Sequence, residues 1–479
     1  MKTISEKLSV LEKIGYSLGD LAANLVFQTL MTYLAYFYTD IYNLKADDAT
    51  LIILVVGFVA AIGFNPLIGA IADRTNTVWG KFRPWILWTA IPLGVVSVLA
   101  FSTPDFSYKG KVIYAVVTYT LLLLLYAASN LPYSALSGVI TGSMKERNSI
   151  SSYRFVAVMF AQFFVQVFML PIIIYVGNGD KAVGIEIVMT WLAVIGTVLL
   201  LITFLTTKER VVPSVKQKST LSEDIADLLD NSPWVIMLIV TTLTFVSLAM
   251  KGGSYVYYFE NYIDVLSLKT FINPVLDFLS SVGVNFFGSD PVSAGFGLFN
   301  AGGIIFMIIG IALSKPLADM YGKRNIFGIF LFISSIFIIL FNFFGPTSVE
   351  LIFGAQIFHG FFYGITIPLL WAMIADVADY SEWKNNRRAT AIIFSAMMVG
   401  LKLGLTIGGA LVTKILDFYG YDAGNFNGQS SEAILGTKLL VSIYPALPFL
   451  VGVGLMFFYK INKSMESQIE MDLEQRRKK

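Results

Sequence analysis

Twelve apolar stretches, each about 20 residues or longer, recur along this chain and leave few folds open to it. They lie near 14–40, 49–72, 84–103, 112–142, 149–176, 184–206, 234–262, 291–314, 324–344, 350–379, 387–417 and 437–460. A segment crossing hydrocarbon must satisfy its own backbone N–H and C=O groups, so each stretch is expected as a helix. The fold class expected is an all-α membrane protein with twelve transmembrane helices. Only 14% of the 479 residues are charged, where soluble domains carry about 25%.

The charges that remain are placed by topology. Alternate connections are basic: Arg74, Lys81 and Arg83; Lys145 and Arg147; Lys208 to Lys218; Lys315, Lys323 and Arg324; Lys384, Arg387 and Arg388. The N-terminal residues and the tail share that side, and by the positive-inside rule both termini are expected in the cytoplasm of a bacterial inner membrane. Met1 to Ser9 are polar, and no cleaved signal peptide is expected. A net charge of +2 gives no reason to expect nucleic acid. There is no Cys and a single His, His359, which excludes disulfides, thiolate metal sites and a histidine metal cluster. No nucleophile elbow or phosphate cradle occurs in a believable context, so no enzyme and no cofactor are expected.

The pattern repeats at half length. Pro66-Leu67, Ala72-Asp73-Arg74 and Gly80-Lys81-Phe82-Arg83 follow span two; Pro316-Leu317-Ala318-Asp319 and Gly322-Lys323-Arg324 follow span eight. Lys145-Glu146-Arg147 follows span four, as Glu382-Trp383-Lys384 and Arg387 follow span ten. Two pseudo-symmetric six-helix bundles explain this spacing: residues 1–206 and 234–460, a cytoplasmic linker at 207–233 and a tail at 461–479. Asp73, Arg74, Arg147, Asp319, Glu382 and Arg387 are the candidate gate, forming bridges that hold one conformation closed; a plain solvated turn is the alternative. The outer connections near 263–290 and 418–436 read as surface loops without chemistry.

Within the first span, Asp20, Asn24, Gln28 and Thr32 fall four residues apart and share a face. A polar stripe on a spanning helix is costly unless it faces protein or a wet path; the alternative is a carboxylate near the surface capping a neighbour. Arg154 opens span five with Gln162 and Gln166 along its face, and could instead reach headgroups. Lys402 lies about 20 Å into span eleven, and Lys251 sits at similar depth in span seven, followed by Tyr255. One carboxylate cannot neutralise several cations, so a bound anion is expected to help. Asn130 precedes Pro132, which either interrupts span four or kinks it. Tyr126 and Trp371 offer ring faces to a sugar. His359 reads as a buried His bonded to a neighbour, with a proton role as the minor reading.

Together these residues resemble the glycoside–pentoside–hexuronide:cation symporter family of the major facilitator superfamily. The resemblance rests on Tyr16 to Asn24, Tyr36-Phe37-Tyr38-Thr39-Asp40, Asn65-Pro66, Trp79 to Trp85, Asn130-Leu131-Pro132-Tyr133, Tyr153-Arg154-Phe155, Tyr257-Tyr258-Phe259, Ala375-Asp376 and Asp379 to Lys384. It implies a sugar held between the two bundles and alternating access driven by a cation gradient. Melibiose-type members hold the galactoside with carboxylates where this chain has Asn24 and Asn130, and sodium with carboxylates where it has Ala61 and Asn65. A hard cation wants charged oxygens, which these positions lack. Arg154 and Lys402 match the family's basic residues near sugar and cation; Lys251 sits where some relatives also carry a basic residue.

Carboxylates are lost while cations remain, so the expected substrate is an acidic sugar: a hexuronide, uronic acid or sulfonated sugar. The expected substrate-binding set is Asp20, Asn24, Gln28, Tyr126, Asn130, Arg154, Lys251, Tyr255, Trp371 and Lys402. The cation-coupling set is Asp20, Asn65 and Lys402, with H+ favoured over Na+. A monomer in the lipid bilayer is expected. The alternatives are a neutral glycoside or pentoside carrier, a lysophospholipid carrier, and a non-transporting membrane sensor on a transporter scaffold.

Overall fold

The structure is a computed structural model of the chain. It describes residues 7–141, 143–210, 231–288, 290–385, 390–423 and 428–478, with the side chains of Asp73, Ser395 and a few others also outside the description. Helices dominate every described stretch. The first six spans are α1 (Val10–Tyr36), α2 (Ala46–Val59) continuing into α3 (Asn65–Arg74), α4 (Arg83–Ala100), α5 (Tyr108–Ile140), α6 (Met144–Phe163) continuing into α7 (Met169–Val176), and α8 (Lys181–Thr206). The second six are α9 (Ser232–Asn261), then, after an outer helix α10 (Val265–Ser281), α11 (Pro291–Tyr321), α12 (Lys323–Leu340), α13 (Val349–Asn385), α14 (Thr390–Phe418), and α15 (Ser431–Val441) with α16 (Ile443–Met456). The tail forms α17 (Lys463–Lys478).

Eleven of these spans are long and apolar enough to cross a membrane. The twelfth, α1, has the length, at 27 residues, but Asp20, Asn24, Gln28 and Thr32 dilute its hydropathy. Its entry is set by Ser9, whose hydroxyl accepts from the Glu12 N–H at 3.1 Å, satisfying a donor the first turn leaves open.

The chain divides into two compact units. Residues 1–216 and 274–297 form one; 217–273 and 298–479 form the other. In the first, α1 packs on α6 and α8, and α4 on α5 and α8. Residues 274–297 join it through aromatic edges: Phe287 lies 5.7 Å from Phe168 and Phe296 lies 6.4 Å from Tyr33, between ring centres. In the second, α9 packs on α14 and α16, and α12 on α13 and α16. Along the α9–α14 seam, a Cβ at Gly404 would lie 2.4 Å from the Thr242 carbonyl, and one at Gly408 2.4 Å from that of Val246. These glycines let two backbones approach closely, as expected of small residues between membrane helices.

Two sequence expectations need correction. The connection 263–290 is not simply a loop: α10 fills much of it and buries Leu268 and Ile272, four residues apart. In 418–436, α15 begins at Ser431, with the Ser430 hydroxyl accepting from Ala433 N–H at 3.1 Å. A third concerns Pro132. It does not interrupt span four, because α5 runs unbroken from Tyr108 to Ile140.

Candidate functional site

In the first unit the polar stripes of α1 and α6 meet. Arg154 lies ten residues into α6, about 15 Å from its start, and turns to α1: its Nε sits 2.8 Å from Asp20 Oδ2. Beneath the guanidinium, Tyr16 and Tyr133 stack with ring centres 4.7 Å apart. The guanidinium carbon lies 5.7 Å and 5.4 Å from those rings, within cation–π range. The two phenols lock each other: Tyr16 donates to the Tyr133 carbonyl at 3.1 Å and Tyr133 to the Tyr16 carbonyl at 2.8 Å. Gly19 makes room, since a Cβ there would lie 2.5 Å from the Tyr133 ring.

One turn along, Asn24 Nδ2 donates to Asp20 Oδ1 at 3.3 Å and to its carbonyl at 2.9 Å. Farther along, Gln166 donates to Gln28 at 3.3 Å. On α5, Asn130 Nδ2 donates to the Tyr126 hydroxyl at 2.8 Å. Asn130, Tyr126, Asn24 and Arg154 are all half-buried. Asp20 and Gln28 are each 7% exposed, while 27% of the Arg154 side chain remains accessible. Its terminal nitrogens make no hydrogen bond among the described residues, so they form an open planar fork.

The second unit holds a different arrangement. Lys251 on α9 is buried, and its Nζ contacts Nε2 of His359 on α13. His359 Nδ1 faces Ser334 on α12, 2.8 Å from its hydroxyl and 3.1 Å from its carbonyl. Lys251 Nζ also lies 5.6 Å from the centre of the Tyr255 ring, whose hydroxyl donates to Gln356 at 3.1 Å. His359 is thus buried and bonded to neighbours on α9 and α12. Lys402 on α14 and Trp371 on α13 are half-buried. Asn65 spends its amide on the backbone, donating to the Ala60 and Ala61 carbonyls at 2.9 and 3.3 Å around a π-helical turn.

The residues expected at the gate lie in different settings. Arg147 caps α5, donating to the Gly138 and Thr141 carbonyls at 2.9 and 3.0 Å. Arg74 and Asp319 are exposed, Glu382 is half-buried, and Arg387 and the Asp73 side chain lie outside the described residues. The duplicated basic motifs act as helix caps. Arg83 donates to the Phe204 carbonyl at the end of α8 at 2.6 Å, and Arg324 to Met456 and Phe457 at the end of α16, both at 3.1 Å.

The ion pairs at this basic end join Glu146, Arg210, Lys323 and Asp376, which lie in motifs named above, to partners the sequence did not pair with them. Glu12 pairs with Arg210 at 2.6 Å and Lys13 with Glu146 at 2.8 Å. Lys323 joins Asp376 at 2.5 Å and Glu466 of α17 at 3.4 Å. Hydrogen bonding from Lys13 holds the Glu146 carboxyl below the usual glutamate range. Burial pushes that of Glu466 up, against the pull of Lys323. The i, i+3 spacing of Ser9 and Glu12 was a legible helix start; nothing local pointed to Arg210 as the partner.

A family model described as MFS/sugar transport protein matches residues 15–286 and 278–463. The chain belongs to that family and is a multi-pass membrane transporter of the major facilitator class rather than an enzyme. Among its relatives, it is 37% identical to the inner membrane symporter YicJ of Escherichia coli (strain K12), over 94% of this chain and 91% of that one. It is 31% identical to an isoprimeverose transporter of Lactiplantibacillus pentosus, over 97% and 91% of the two chains. It is 27% identical to a glucuronide carrier protein homolog of Escherichia coli (strain K12), over 99% and 98%. The symporter resemblance read from Tyr16 to Asn24 and the other motifs is borne out at this level.

Proposed function

We propose that this protein is a proton-coupled symporter for an acidic sugar, working by alternating access from an inner membrane with both termini cytoplasmic. The observation that carries this reading is the open guanidinium fork of Arg154, which among the described residues is hydrogen-bonded through Nε alone. A carboxylate or sulfonate fits two parallel N–H donors better than a hydroxyl does. The Tyr16–Tyr133 stack lies within cation–π range of the guanidinium, and Asn24, Asn130 and Tyr126 supply donors and acceptors for sugar hydroxyls.

The same geometry suggests how a proton enters the cycle. An arriving anion competes with Asp20 for Arg154. As Arg154 turns to the substrate, Asp20 is left without its ion-pair partner and is the carboxylate placed to carry the coupling proton. The Asp20 proton then travels with the anion. The basic connections between spans support the cytoplasmic placement of the termini.

A neutral glycoside is the second reading, favoured by the isoprimeverose transporter among the relatives. The test is uptake into proteoliposomes of D-glucuronate and methyl glucuronide against glucose and methyl glucoside, under inward proton or sodium gradients. The acidic sugars should enter faster under a proton gradient, and Asp20→Asn should abolish that acceleration. Sodium-driven uptake of neutral sugars alone, indifferent to pH, overturns the proposal.

A further inference from the structure

A lysine and a histidine buried against each other, with no carboxylate within ion-pairing distance of either among the described residues, call for a function. The hydrogen atoms can be placed from the partners. A carbonyl only accepts, so His359 Nδ1, facing the Ser334 carbonyl at 3.1 Å and its hydroxyl at 2.8 Å, is assigned the hydrogen in the neutral ring, with the hydroxyl donating instead to the His359 carbonyl at 3.5 Å. Nε2 then presents a lone pair to Lys251 Nζ, and a protonated Lys251 donates into it. A second proton, on Nε2, would set two cations in contact in a buried place. Removing the shared proton leaves a neutral amine beside a neutral imidazole. The pair therefore has room for one exchangeable proton, and its titration belongs to the pair rather than to either residue.

The surroundings leave that proton to the pair. Tyr255 on α9 sets its ring under Lys251, and Tyr363 on α13 stacks on His359 with ring centres 5.9 Å apart. From α12 comes Ser334. The helices α14, α15 and α16, packed on α9, bring no charged side chain into hydrogen-bond or ion-pair contact with the pair among the described residues.

We propose that Lys251 and His359 form a proton-binding site inside the second bundle, taking one proton from water and returning it to water during the transport cycle. The site is separate from Asp20. Its part in coupling rests on the proton-symport reading above; its existence as a proton site does not.

His359 is the only histidine in the 479 residues, so a nitrogen-15 histidine label in the full-length protein, held in nanodiscs, reports this ring alone. From acid to neutral pH the spectrum should show one tautomer, with Nδ1 protonated and Nε2 not. Titration from about pH 5 to about pH 10 should move the Nε2 resonance in one step, and Lys251→Met should remove that step. A doubly protonated ring at neutral pH, or the same Nε2 titration with and without Lys251, overturns the proposal.

A second measurement addresses coupling. Protons taken up per D-glucuronate in proteoliposomes should fall from about two to about one in His359→Asn, with folding checked by gel filtration. An unchanged ratio removes the pair from the transport cycle. Sugar uptake without proton flux in the unaltered protein removes proton symport itself, and the labelled histidine then decides the pair alone.

Discussion

Replacing Arg154 with lysine separates an acidic from a neutral substrate. Alanine would be a poor probe. It leaves Asp20, whose side chain is 9% exposed, without its cation, and breaking a buried pair this way costs about 3–5 kcal/mol. That figure is an upper bound because the Arg154 side chain is 27% exposed. Lysine keeps the charge and can still meet Asp20, but it is a point donor with no planar fork. The loss expected is one charge-assisted hydrogen bond to the substrate, about 1.5–3 kcal/mol, or about 10- to 160-fold in Kd. Methyl glucuronide and methyl glucoside differ at the sixth carbon, carboxylate against hydroxymethyl, and so form a matched pair. Calorimetric titration in nanodiscs should show the full loss for the glucuronide and a change of less than about threefold, under about 0.7 kcal/mol, for the glucoside. Equal losses for both would mean that Arg154 reads hydroxyls, and no loss for either would place the substrate elsewhere; both results refute the reasoning.

Three other outcomes follow from the packing and the basic end. Tyr133→Phe removes the 2.8 Å bond to the Tyr16 carbonyl but keeps the ring stack. It should cost about 0.5–1.5 kcal/mol in thermal unfolding, and an unchanged midpoint would deny the reciprocal lock. Gly404→Ala drives a Cβ to 2.4 Å from the Thr242 carbonyl and should destabilise by about 1–3 kcal/mol. Gly454→Ala, with nothing within 4 Å, should be neutral or mildly stabilising in the same assay. The Lys13–Glu146 pair should show itself in acid. Because the Glu146 carboxyl is held below its ordinary range, its contribution is complete above the ordinary glutamate pKa and fades as pH falls through the lower folded value. Glu146→Gln should therefore flatten the acid limb of unfolding temperature against pH, and an unaltered limb would show that the pair contributes nothing.

How far the sequence reached follows from what a local pattern can encode. The stripe Asp20, Asn24, Gln28 and Thr32 is legible because four-residue spacing is a property of one helix, and an apolar background makes each polar residue conspicuous. Its partner is not, because Arg154 stands 134 residues away and only the packing of α1 on α6 selects it. Arg83 and Arg324 show what a repeat can mean. Their duplication was visible, and each donates to carbonyls at the end of the last helix of its own half. Repetition marks a shared structural need as readily as a shared function. In 263–290, Gly, Asn and Ser outweighed the i, i+4 pair Leu268 and Ile272, which carried the helix signal.

The placement of partners also changes why an anion is expected. From the sequence, several cations against one buried carboxylate implied a missing negative charge. In the structure Arg154 has found that carboxylate, and Lys251 has found a base. Neither cation needs the substrate in order to be buried, so excess charge no longer carries the argument. What remains is geometric: a guanidinium held at one nitrogen among the described residues, within cation–π range of two locked tyrosines, with two arms open. A charge count would accept any anion, whereas a fixed fork selects one whose acidic group is planar or three-oxygened and set at the right reach from hydroxyls that Asn24 and Asn130 can meet. That is why the carboxylate-for-hydroxymethyl comparison at Arg154 tests the reading more sharply than any measurement of net charge.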